Sequence, residues 1–562
     1  MVAHLLLAGD GAVRSIKTSS VDQARASGLF LCMHIGPQTH FSTDNHISNI
    51  KGPHMTHSAS YTTAALSFPR DPLGLYQALT QNRNHHLLYE SADVDHQHAL
   101  KSFLLTDAAI KVEGFGQEVI LTALTDNGTA LLELISNAPI HINLTAKTAT
   151  QLIFTFPKGG QFSPMDVLRT VQSFADRTHD NEYTYFMAGL LGYDLVGYYY
   201  DIPVPETNRG HDLLVYVAET LIIIDHVAKT ADVQHNQFGR HQNTPFDIDA
   251  AAQQINQYAE HIFTPEIHGA NVSHDIVEVD DPNEFLNTVA TLIERVKAGE
   301  FQQIVPSRRF QVACPSAINA YAALKTAHPS PYLFYLQDDA FTLFGASPER
   351  ALKFDHTSRI VELYPIAGTR PRGRVNDVID PVLDLELEQD LLNDPKEVNE
   401  HMMLVDLAER DLTPIAKPGS FHVKDLMKVD RYAYVMHLVS NVQAQLQDHL
   451  DAFDAYIHTM NMGTLTGDPK IAAMTAIYEY ESVARGSYGG AIGYLNSFGD
   501  LDSCIVIRSA NVQDGMATIQ AGAGIVHDSV PERELAETRH KANSVIHAIL
   551  NGHYGEVHIT CG

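Results

Sequence analysis

Apolar residues recur along this chain at two different periods, and the change from one to the other marks strands and helices. Between positions 87 and 125, short apolar runs (LLYE, SFLL, AAIKVEGF, EVILTAL) alternate with turn residues, which predicts antiparallel strands. FMAGLLGYDLVGYYY at 186–200 is apolar and aromatic enough to be buried, and TLIIIDHV at 220–227 reads as a core strand. Residues 229–275 turn to Gln, His, Asn and Asp around one Ala/Gln-rich helical piece at 248–262, as expected of a domain boundary or long surface connection.

The second half opens with a well-marked helix. Asp281 caps it, Pro282 suits its first turn, Phe285, Val289, Leu292 and Val296 form its apolar stripe, and Gly299 ends it. QIVPSRRFQVA, YLFYLQ, FTLFGAS and IVELYPI follow as strands. Next come a helix at Lys396–Leu412, with Val398, Met402, Val405 and Leu412 at helical spacing, and the segment VDRYAYVMHLVSNVQAQL. Beyond the glycine-rich GSYGGAIGYL and the strand CIVIRSA, a last helix has Ser529 and Glu532 at capping-box spacing, Pro531 in its first turn and Asn551-Gly552 at its end. Consecutive strands interleaved with helices predict an α+β fold, a large antiparallel or mixed β-sandwich with helices outside. The expected organisation is a disordered extension (1–57, with Met55 nearer the natural start), an N-terminal domain (58–228), a connecting segment (229–275), a second domain (276–552) and a tail (553–562).

Charge narrows the partners. A net charge of -29 on 562 residues argues against nucleic acid and anionic membranes, and means that an anionic substrate must be met by local cations. No apolar run is long enough to span a bilayer. Cys32, Cys314, Cys504 and Cys561 lack metal or disulfide spacing, which suits a reducing cytoplasm. With no P-loop and no GxGxxG between strand and helix, no nucleotide site is expected.

Against that background a few residues carry chemistry. Glu397 and Glu400 project from nearly the same helix face, a like-charge pair that a hard cation such as Mg²⁺ would relieve; a solvated acidic face is the plain alternative. Glu534 and Glu537 repeat the spacing, with Lys541 four residues on, so two helices could clamp a cation, or Glu537 and Lys541 could be a surface ion pair. Arg508, at the end of an apolar strand, suits a carboxylate ligand or a structural Asp. LYPIAGTRPRG runs from a strand into a small-residue loop and then Arg370, Arg372 and Arg374, and AGAGIV at 521–526 is a second place where backbone could approach a ligand. His437 is either a hydrogen-bonded core residue or an acid/base group, and Glu349 either a loop residue or a partly desolvated acid.

Most of these residues fall within longer motifs. YPIAGTRPRG, EHMMLVDLAERDL, KVDRYAYVMHLVS, MNMGTLTGDPK, RGSYGGAIGYL, CIVIRSA and QAGAGIVHDSVPERELAETRHKA together resemble the chorismate-utilising enzymes, in consistent order from about residue 58 to 550. Gln303 stands where water-using members carry a Lys base, and Ala367 where aminodeoxychorismate-forming members often carry a Lys. That pattern resembles the anthranilate-forming branch, in which chorismate and ammonia give anthranilate and pyruvate in the first committed step of tryptophan biosynthesis. The resemblance implies Mg²⁺ held by Glu400 and Glu537 with Glu397 and Glu534 in support. Tyr488 and Arg508 would hold a substrate carboxylate, and Gly368, Thr369, Gly522, Ala523 and Gly524 would line the ligand. Glu349 would protonate the departing hydroxyl, with His437 serving pyruvate elimination. Ammonia would come from a separate glutamine amidotransferase subunit (component II) in a hetero-oligomer, a heterotetramer. The first domain would then be regulatory and the second chorismate-binding. HLLYESADVD resembles the element that binds inhibitory tryptophan, implying a pocket of Glu90, Ser91, Pro331, Tyr332, Leu333 and Cys504, with Tyr89 in place of a Leu. The absence of Trp from the chain suits such an enzyme. Two departures from the family pattern stand out, Asp468 in TGDPK where the family usually has Ser-Gly-Ala-Pro-Lys, and Glu409-Arg410 in AERDL where it usually has Ala-Arg-Asn-Asp-Leu, and both imply reduced or altered activity. The alternatives are another chorismate aminase (an aminodeoxychorismate or aminodeoxyisochorismate synthase) and a catalytically weak tryptophan-binding regulatory paralogue.

Overall fold

The computed structural model describes residues 60–92, 99–138, 143–175, 181–207, 209–239, 246–265, 275–376, 378–432 and 434–554. The expected extension at 1–57, nearly all of the tail and part of the 229–275 segment lie outside these.

Most strands join one sheet that closes on itself, and every pairing in it is antiparallel. The strands that matter here are β1 (His86–Ala92), β2 (Ala99–Phe115), β3 (Met187–Leu191), β4 (Leu213–Asp225), β5 (Thr230–Gln237), β6 (Gln303–Ile304), β7 (Tyr332–Gln337), β8 (Ile366–Pro371), β9 (Val435–Gln445), β10 (Gly467–Asp468), β11 (Ala491–Leu495) and β12 (Leu501–Ile505). β1 lies between β2 and β7, and β3 between β4 and β11. Strands from before residue 228 thus pair directly with strands from after 276, and the boundary expected at 229–275 separates no two sheets. That segment itself begins with β5, which pairs with both β4 and Ser60–Leu66.

Side chains alternate across this sheet with period two, and a core lies on each face. Leu88, Leu104, Leu333 and Tyr335 enter one, while Leu87, Tyr89, Phe103, Tyr332 and Phe334 enter the other. Helices pack outside. α1 (Pro282–Lys297) is capped by Asp281 and buries Phe285, Val289, Leu292 and Val296, each contributing about 1.5–3 kcal/mol on leaving water. α2 (Pro395–Leu412) starts at Asp394, whose carboxylate accepts from the Lys396 and Glu397 amides. α3 (Pro531–Tyr554) continues past the expected stop at Asn551-Gly552, and Gly552 serves there as a close-approach residue against the Asn319 backbone, where a Cβ would come within 2.7 Å of a carbonyl. CIVIRSA is two strands rather than one: β12 ends at Ile505, and Arg508 sits at φ 50° before the next strand begins at Ser509. No helix among the described residues is long and apolar enough to cross a membrane.

Candidate active site

β8 and β9 bring the first pair together. Thr369 stands opposite His437, and Thr369 Oγ1 meets His437 Nδ1 at 2.9 Å. The register slips at Gly368, whose φ of 84° suits a residue without Cβ and whose Cα lies flush against Glu397. Burial, then the charge of Arg508, pushes the His437 imidazole down to about 4, so at neutral pH it is an uncharged base.

Glu349 is 6% exposed and accepts a hydrogen bond from Thr464 Oγ1 at 3.0 Å. Burial raises its carboxyl to about 8, against the pull of Arg508 and Lys541. It therefore holds a proton at neutral pH. Tyr488 is buried beside Gly522, with its phenol pushed up to about 12 by burial. The Arg508 guanidinium makes no hydrogen bond or ion pair with any described residue, although burial disfavours its charge. An unpaired buried cation is costly, and an anionic ligand is the natural partner.

The carboxylates face this cation from α2 and α3. Burial, followed by the charge of Glu397, holds Glu400 above the usual carboxylate range, and Glu537 adds to the effect. Glu534 is raised by burial and then, beyond its Ser529 hydrogen bond, by Glu537. Glu537 is paired with Lys541 at 2.7 Å, and Lys541 also donates to the Gly522 carbonyl at 2.9 Å. Glu397 is paired with Arg370 at 3.2 Å. No three of the four carboxylates lie within 4.8 Å of one another. Their residual repulsion fits a hard dication between the helices, because the lysines leave Glu400 and Glu534 incompletely compensated. Gln303 Nε2 donates to Glu400 Oε1 at 3.2 Å, and Gly524 leaves that amide room, since a Cβ there would come within 2.5 Å of it.

Elsewhere the structure corrects the expectations. Arg370 is tied to Asp390, Asp394 and Glu397, Arg372 to Asp384, and Arg374 stacks over Tyr434, so the arginines after Thr369 brace the loop rather than await an anion. Ser529 caps the Val526 amide and meets Glu534, not Glu532. The six residues expected to line the inhibitor pocket divide between the two faces of the sheet. Ser91, Tyr332 and Cys504 lie with Tyr89 on one side, while Glu90 opposes Leu333 on the other and is bound by Lys325 Nζ, Tyr321 Oη and Ser102 Oγ at 2.7–3.1 Å. Pro331 accepts from the Ala92 amide. His85, His211, Glu113, Asp338 and Asp339 also gather at ligating distances, but Lys111 Nζ sits 3.1–3.5 Å from three of their carboxylates and already supplies the cation.

Sequence reasoning missed Thr464, which nothing but its place next to Glu349 distinguishes. It also missed the pairing of Arg410 with Asp468 at 2.6 Å, for which the two departures from the family pattern, 58 residues apart, were the available signal.

The family model described as chorismate binding enzyme matches residues 121–547. The chain belongs to this family. As a chorismate-binding enzyme it is similar to anthranilate synthase component 1 of Escherichia coli K12, with 44% identity over 500 residues, 86% of this chain and 96% of that protein. Anthranilate synthase component 1 of Vibrio cholerae is 45% identical over 512 residues, 87% and 96% of the two chains. Among solved structures, anthranilate synthase component I from Streptococcus pneumoniae TIGR4 superposes with a TM-score of 0.65 at 29% identity, covering 80% of this chain and 92% of that one. The menaquinone-specific isochorismate synthase of Escherichia coli shares the fold, with a TM-score of 0.60 at 17% identity.

Proposed function

We propose that this chorismate-binding enzyme is the large subunit of an anthranilate synthase, converting chorismate and ammonia into anthranilate, pyruvate and water. The observation that carries the reading is the unpaired Arg508 guanidinium beside Tyr488, set opposite the incompletely compensated carboxylates of α2 and α3. A small dicarboxylate such as chorismate suits both: Arg508 and Tyr488 take the enolpyruvyl carboxylate, and the ring carboxylate would lie towards the Glu side, its charge offset by a cation held there. Glu400 and Glu537 would hold Mg²⁺, with Glu397 and Glu534 in support, and the ion would supply positive charge to the ring carboxylate.

Protons are moved by this chain's own groups. Glu349, protonated at neutral pH, gives its proton to the departing ring hydroxyl, which leaves as water as ammonia adds. His437, uncharged and oriented by Thr369, takes the ring proton as the enolpyruvyl group leaves as pyruvate and the ring becomes aromatic. Gly368, Gly522, Ala523 and Gly524 leave backbone room for the ring. Gln303 in place of a Lys supports ammonia over activated water as nucleophile. The names of the relatives imply a second component, which we assign as the glutamine amidotransferase that delivers ammonia in a cytoplasmic heterotetramer. Tryptophan inhibition is part of the same reading, weakened by Tyr89, whose buried ring packs against Tyr332 and Tyr494 at 6.1 and 5.8 Å. The test is purified chain with chorismate, Mg²⁺ and high ammonium, followed by anthranilate fluorescence. Folded protein giving no fluorescence would sink the reading.

A further inference from the structure

Two glycines leave Gln303 room: a Cβ at Gly524 would meet its side-chain amide nitrogen, and one at Gly467 would lie 2.1 Å from its main-chain carbonyl oxygen. Its amide orientation is determined. The Glu400 carboxylate only accepts, so Nε2 faces it, and Oε1 is left buried with no partner. An acceptor without a donor suits an N–H ligand such as ammonia.

What fixes Gln303 relative to Glu400 is its strand partner. β6 and β10 pair with Gln303 opposite Asp468, and the Gln302 amide donates to the Asp468 carbonyl at 2.7 Å. The Asp468 side chain is wholly buried, and its Oδ2 accepts from Arg410 Nη2 at 2.6 Å, whereas its Oδ1 has no partner. Arg410 reaches in from the surface of α2, ten residues and about 15 Å along the helix from Glu400. One helix therefore grips the β6–β10 pair at two points, Glu400 on Gln303 and Arg410 on Asp468. The two departures from the family pattern are one ion pair.

We propose that Asp468 and Arg410 are positioning residues that set the Gln303 amide against Glu400 and so present its free oxygen to the nitrogen nucleophile. This rests on the ammonia-dependent reaction proposed above. The experiment compares Asp468→Ala, Asp468→Asn, Arg410→Ala and Gln303→Ala in full-length protein, reading the KM for ammonium, the KM for chorismate, kcat and the melting temperature without Mg²⁺. Asp468→Ala and Arg410→Ala should each raise the ammonium KM about tenfold, the loss of one charge-assisted hydrogen bond, with the chorismate KM little changed. Asp468→Asn should retain most of the wild-type value, since its amide oxygen still accepts from Arg410. In a Gln303→Ala background the effect of Asp468→Ala should vanish. An unchanged ammonium KM in Asp468→Ala, or an undiminished effect without Gln303, overturns the proposal. Arg410→Ala leaves a buried unpaired carboxylate and is the variant most prone to misfold. The Arg410→Ala, Asp468→Ala double variant removes that charge and carries the same test. A wild-type chain that makes no anthranilate sinks the functional reading by itself. A crystal structure of Asp468→Ala with Gln303 still on Glu400 sinks the positioning claim whether or not the protein turns over.

Discussion

Replacing Glu349 with Gln keeps the shape of the side chain and removes its proton chemistry. The carboxyl is 6% exposed, and burial lifts it from 4.5 to about 8. At 1.36 kcal/mol per pH unit, that separation is worth about 5 kcal/mol. The sign follows from proton counting. Between these two values the folded chain holds a proton that the unfolded chain has released, so stability falls as pH rises. The contribution of Glu349 is fully present below its unfolded value and is lost as pH climbs through about 8. Gln titrates nowhere, so the stability of wild type minus that of Glu349→Gln should decline by about 1.4 kcal/mol per pH unit from about pH 5 to 8 and then level off. Denaturant unfolding of both proteins across that range, with a chelator present, measures the difference while all other titrations cancel. Parallel profiles would refute the assignment of a buried, protonated Glu349. The same variant should lower kcat by about 10²–10⁴, the usual share of a general acid, and wild-type kcat/KM should fall above about pH 8.

Glu400→Gln and Glu537→Gln should each abolish Mg²⁺-dependent turnover and the Mg²⁺-induced rise in melting temperature, a stabilisation of about 2.7 kcal/mol in wild type at a hundredfold excess over Kd; a double variant that keeps the thermal shift counts against the metal assignment. Arg508→Ala should reduce kcat/KM for chorismate by about 10–150-fold, the worth of a charge-assisted hydrogen bond of about 1.5–3 kcal/mol, and an unchanged value in steady-state kinetics would remove Arg508 from the binding site. Tyr89→Leu should open space beside Tyr332 and Tyr494 and lower the tryptophan concentration needed for half-inhibition; an unaltered inhibition curve would place the effector elsewhere.

Helices with strong stripes and caps were legible in the sequence. α1 shows its Asp281 cap, Pro282 and Gly299, and the α2 expectation differs from the observed start by one residue. β5 was not legible, because its TADVQHNQ reads as polar linker. Gln234 and Asn236 are nevertheless buried, and they satisfy their amides on the Tyr183 and Ala218 carbonyls. Strand order was out of reach for a different reason: the partner of β1 lies far along the chain, and periodicity carries no information about distant pairing. In the site, charge type could be read but not charge balance. Arg508 and Arg370 look equally available as sequence, and only the fold ties Asp390, Asp394 and Glu397 directly to one while leaving Glu349 and Glu537 near the other but out of ion-pair contact. The roles of Glu349, His437 and the paired glutamates came from the resemblance, and the structure adds Thr464, Lys541 on the Gly522 carbonyl, and the Arg410–Asp468 pair.

The seating of β1 between β2 and β7 has a consequence during synthesis. Ala92 and Tyr332 are 240 positions apart, and Leu191 of β3 and Ala491 of β11 are 300 apart. At about 5–20 residues per second, a nascent chain holds each of these early strands with one edge open for on the order of ten to sixty seconds. Leu87 and Tyr89 on one face and Leu88 on the other then lack half their packing, a state prone to pairing with neighbouring chains. Fragments ending near residue 260 or starting near 276 should be insoluble when expressed alone and recover solubility when expressed together.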